Sequence, residues 1–112
     1  MKIRTSDLDG KTVVIEVETG DEGPVVEALS KRGHGYAIFG EGVQIPMAVI
    51  DGRLRDQPGF TNNHLLAVEA HEIGHISTNS CDEPTAEQAA IDLLEANQQF
   101  QAAQLLKARG VI

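Results

Sequence analysis

The chain has 112 residues, 17 acidic against 9 basic, and a formal net charge of −8 with histidine neutral. Its cations are scattered from Lys2 to Arg109, which disfavours nucleic acid as a partner, because an ungathered minority of positive charges cannot offset repulsion from phosphates. No apolar run approaches the roughly 20 residues that span a bilayer, the opening Met1 to Asp7 lacks the apolar stretch of a secretory signal, and the lone Cys81 excludes an intrachain disulfide. A single folded domain over residues 1–112 in a reducing, cytoplasmic setting is therefore expected.

In chain order, Lys11 to Glu18 is rich in β-branched residues, and Asp9-Gly10 offers a turn through which it pairs with residues 2–7 as a hairpin. Pro24 opens and Gly33 stops a short helix. Two strands follow, His34–Phe39 and Val43–Ile50. Pro46 has no N–H for a ladder, so Val43–Ile50 is expected at an edge of the sheet. Asp51-Gly52 is a second tight turn, with Arg53 to Arg55 continuing the hairpin. A helix capped by Thr61, Asn62 or Asn63 runs to about Ser77. The last helix starts at the capping-box pattern Thr85-Ala86-Glu87-Gln88 and ends at Gly110. Strands first and helices last is an α+β order.

The helix expected before Ser77 contains His71-Glu72-Ile73-Gly74-His75, an H-E-x-x-H pattern. Residues four apart project from one helical face, so two imidazoles can share a tetrahedral metal while the intervening glutamate reaches a metal-activated water. Leu66, Ala70 and Ile73 lie opposite the histidines, and Leu65 and Ile76 flank Glu72, so apolar groups surround most of this helix. Burying two histidines and a carboxylate without partners costs several kcal/mol, roughly, whereas one metal satisfies all three. Zinc is the expected ion, with Glu72 as general base in hydrolysis.

A catalytic zinc needs a third protein ligand. Glu87 shares a helical face with Ala90, Ile91 and Leu94 and is expected to point inward to the metal, while Asp92 faces solvent. Cys81, six residues after His75, is the competing ligand, and the loop acids Asp82 and Glu83 are within reach without a directional reason to choose them. His34 and Tyr36 are candidate hydrogen-bond donors to a transition state. His64 lies about 10 Å along the helix from His71, too far to join the same ion.

With H-E-I-G-H at 71–75, an inward acid at Glu87 and a strand-rich first half, the chain resembles the zincin metallopeptidases of the gluzincin type. The run from Glu87 to Leu94 is distantly similar to the corresponding helix of ImmA/IrrE-type metallopeptidases. Many gluzincins carry a carboxylate four residues after the glutamate ligand to orient the first histidine, and here that place holds Ile91. The resemblance implies an α+β zincin-like fold, zinc-dependent endopeptidase activity, and a peptide substrate bound along the Val43–Ile50 edge. A different expectation is a non-catalytic binding or inhibitory module whose metal is structural or vestigial, and a third is a dormant protease whose own terminal strand or tail blocks the cleft.

Overall fold

The computed structural model describes residues 1–109. They form strands β1 (Lys2–Thr5) and β2 (Val13–Val17), helix α1 (Pro24–Arg32), strands β3 (Gly35–Ile38) and β4 (Met47–Asp51), a 3-10 turn over Gly52–Asp56, and helices α2 (Asn62–Thr78), α3 (Glu83–Ala96) and α4 (Phe100–Arg109). The fold is α+β, with a mixed four-stranded sheet of order β1-β2-β4-β3.

β1 and β2 form the expected hairpin, Ile3 opposite Ile15. β4 runs parallel to β2, Ile15 beside Val49, and antiparallel to β3, Tyr36 beside Val49. Alternation along β2 and β4 then feeds two layers. Val14, Ala48 and Ile50 pack on Val68 of α2. Ile15, Val17 and Val49 face the other way, onto Val25, Val26 and Leu29 of α1. A third apolar cluster joins the helices, with Ala67, Ala70 and Ile73 of α2 against Ala90 and Leu94 of α3 and Ala102, Ala103 and Leu106 of α4.

Several boundaries differ from the expectations. Val43–Ile50 is not an edge strand. Its strand part starts at Met47, after Pro46, and lies between β2 and β3, so the proline stands outside the ladder and breaks no hydrogen bond. The exposed edge on that side is β3. Asp51 makes no hairpin turn but caps the 3-10 segment, accepting from the Arg53 N–H while its carboxylate also receives the Arg53 guanidinium. The last helix is two helices. Asp82, not Thr85, is the cap of α3, accepting from the Thr85 N–H at 3.0 Å. A break at Asn97-Gln98, with Gln98 at φ 60°, precedes α4. The expected stop at Gly110 lies outside the described residues. Among the described residues no helix is long and apolar enough to cross a membrane.

Candidate metal centre

Thr61 caps α2 through its hydroxyl, and His64 completes the box by accepting the Thr61 N–H on Nδ1, which commits that ring to the far end of the helix. Two turns on, α2 passes beneath β3 and beside α3. Both approaches are close enough to require glycine. A Cβ on Gly35 would lie 2.8 Å from the Val49 carbonyl oxygen and 2.8 Å from Val68. On Gly74 it would lie 2.2 Å from the Ala86 carbonyl oxygen, so the middle of the H-E-x-x-H motif touches the backbone of α3 directly.

This contact brings acids of α3 to the histidines of α2. His71 Nδ1 lies 2.9 Å from a Glu87 carboxylate oxygen, and its Nε2 lies 2.8 Å from Glu83. His75 Nδ1 lies 2.7 Å from the Ser80 carbonyl oxygen, and its Nε2 lies 3.2 Å from the other Glu83 oxygen. The rings meet edge to face at 4.8 Å, and Phe39 stacks on His75 at 6.1 Å. Ligand atoms of His71, Glu72 and His75 all fall within 4.8 Å of one another, and all three residues are buried. This group could hold a metal ion.

The hydrogen-bonding arithmetic bears on whether it fits one. All four ring nitrogens face acceptor oxygens, yet a neutral imidazole donates only once. One arrangement that satisfies them has Nδ1 donating in each ring while the two Nε2 lone pairs and Glu83 turn to a shared cation. Metal bonds of about 2 Å set at tetrahedral angles hold their donor atoms about 3.3 Å apart, close to the separations of 2.8 and 3.2 Å seen here. The donor set, two imidazole nitrogens and a carboxylate, suits a divalent first-row ion.

Glu87 is 1% exposed and inward, as its helical face requires, but it sits behind His71 on Nδ1 rather than where the two Nε2 atoms converge. That position belongs to Glu83, one turn earlier on α3. The other Glu87 oxygen has no hydrogen-bond partner among the described residues and lies 3.6 Å from Arg109. Asp92 is exposed, as expected. The missed signal for Glu83 is the cap. Once Asp82 starts the helix, Glu83 and Glu87 stand at i and i+4 on one face.

The three motif residues line a cleft of about 430 Å³ together with His34, Tyr36, Phe39, Cys81, Glu83, Arg32 and Arg109. Cys81 is a free, exposed thiol. His34 is exposed and packs edge-on to Phe60. Tyr36 donates its hydroxyl to the Val25 carbonyl at 3.2 Å, so that group is already engaged with α1. Burial, followed by the negative charge of Glu83, pushes the Glu72 carboxyl up to about 8, while Arg109 and Arg32 act in the opposite direction.

No protein-family model, curated protein or solved structure matches this chain.

Proposed function

We propose that the protein is a zinc-dependent metallopeptidase of zincin-like fold, in which His71, His75 and Glu83 hold the ion and Glu72 carries the proton. The observation that supports this reading is the convergence of both Nε2 atoms on one carboxylate, with each Nδ1 tied to a fixed acceptor behind it. Counted from Glu83, the histidine-orienting acid that gluzincins place four residues later is Glu87, and it bonds His71 as that role requires. Zinc held there supplies a Lewis acid that polarises a peptide carbonyl and brings the pKa of a water toward about 7. Glu72 takes the proton of the attacking water on its carboxylate and returns it to the leaving amine. The substrate is a peptide that adds as an extra strand to the free edge of β3, which borders the cleft where Gly35 brings backbone close to Glu72.

Elemental analysis alongside peptide cleavage tests the assignment. Wild type should carry about one zinc per chain, the His71→Ala and Glu83→Ala variants should lose it, and Glu72→Gln should retain it while cleavage ceases. Full zinc in Glu83→Ala would return the third ligand to Glu87 or Cys81, and wild-type cleavage by Glu72→Gln would overturn the mechanism. One feature favours the second reading, a binding or inhibitory module. The engaged Tyr36 hydroxyl leaves His34 as the remaining candidate donor to a transition state. Zinc bound without cleavage of any peptide in a broad mixture supports that reading.

A further inference from the structure

The cleft of this acidic chain is lined by two of its arginines. Arg32, at the end of α1, has its guanidinium 5.9 Å from the centre of the Tyr36 ring and forms no ion pair among the described residues. Arg109, at the end of α4, reaches only the far oxygen of buried Glu87 among the described residues, at 3.6 Å. By contrast Arg4, Arg53 and Arg55, outside the cleft, are each paired closely with an acid. Arg109 also borders a second, largely apolar cavity of about 240 Å³ formed by Phe60, His64, Leu105 and Leu106, and this cavity shares His34 and Val68 with the cleft. An apolar side chain entering that cavity brings neighbouring groups of the same peptide to the guanidinium.

We infer that the cleft selects peptides that carry a carboxylate next to an apolar residue, the carboxylate being received by Arg32 and Arg109. The inference rests on the metallopeptidase reading for the peptide nature of the ligand, and on the under-paired arginines for its charge. Guanidinium pairs with carboxylate through a planar fork, and such charge-assisted bonds are the stronger ones where the site is partly enclosed. The carboxylate belongs either to an acidic side chain or to the peptide's C-terminus.

Fluorescence anisotropy with three labelled peptides tests it. One has Glu beside Leu and an amidated end, the second has Gln in place of Glu, and the third has Gln with a free C-terminus. Binding is measured to zinc-loaded Glu72→Gln protein and to metal-free wild type. One of the carboxylate-bearing peptides should bind about tenfold tighter than the neutral one, and which of them does so identifies the source of the carboxylate. The preference should shrink as salt is raised to about 0.5 M. It should vanish in the Arg32→Gln/Arg109→Gln double variant and persist in Arg53→Gln, all with unchanged circular dichroism. Equal binding of the three peptides, no binding by any, or a preference that survives the double variant would overturn the inference. A carboxylate preference without cleavage by wild type removes the hydrolase reading alone, and cleavage without the preference removes this inference alone.

Discussion

At the scale of single residues, the centre is set by what lies behind the imidazoles. Glu87 holds the ring of His71 through Nδ1, with Nε2 turned to Glu83. Glu87→Gln preserves an acceptor of similar shape and removes the charge. It should lower zinc affinity by about 10- to 100-fold, read by chelator competition, without the stoichiometric loss expected of Glu83→Ala. Unchanged affinity would reduce Glu87 to a packing role. The motif itself was legible because its geometry is local: four residues on one helix make one face. The inwardness of Glu87 was legible for the same reason. Its partner was not, since two acids one turn apart share that face, and spacing alone does not say which meets Nδ1 and which meets Nε2.

Among the elements, the most consequential contact is α2 on α3 at Gly74. In Gly74→Ala the new methyl would overlap the Ala86 carbonyl, and backbone cannot swing aside as a side chain can. The variant should lose about 2 kcal/mol or more in urea unfolding, and its zinc affinity should fall as α3 is displaced. The β1–β2 turn carries a pH prediction. Burial raises the Asp9 carboxyl, but hydrogen bonds from the Thr12 hydroxyl and from the Thr12 and Lys11 N–H groups outweigh it, and the pKa falls below its ordinary 3.8. A depressed carboxyl contributes stability that is present above 3.8 and lost as the pH drops beneath that value. Asp9→Asn should therefore lower the urea midpoint at pH 7 and have a shallower acid-side decline than wild type. The hairpin and helix α1 were readable from turn residues and from Pro24 and Gly33. The break between α3 and α4 was not, because Asn97-Gln98 contains neither glycine nor proline. There the Asn97 side chain donates both to the Leu93 carbonyl one turn back on α3 and to the distant Leu8 carbonyl, and the second, tertiary bond cannot be read from local sequence.

For the whole molecule, the sheet and α2 are joined by charge as well as by apolar packing. Glu69 of α2, 3% exposed, receives Arg4 of β1 at 2.5 Å and the Ser6 hydroxyl at 2.6 Å. Arg4→Ala strands that carboxylate and should cost about 2 kcal/mol, whereas Lys107→Ala, which breaks the exposed pair with Glu95, should cost under about 0.5 kcal/mol. Denaturant titration of the two variants side by side checks the contrast. Strand order was the least legible property at this scale. Pro46 suggested an edge that the chain instead forms with β3, and a proline just outside a strand is indistinguishable by composition from one inside it.

The backbone contact between α2 and α3 has a last consequence. His71, Glu72, His75 and Glu83 fall within one short stretch, residues 71–83, braced by a glycine that lets two helices meet. The mouth above them is assembled from distant parts, α1, β3 and the end of α4. Grip and entrance are thus encoded separately. Exchanges along residues 32–39 would reshape the mouth while the cluster at 71–83 stays intact, and divergent copies of this fold would be expected to vary first at the doorway.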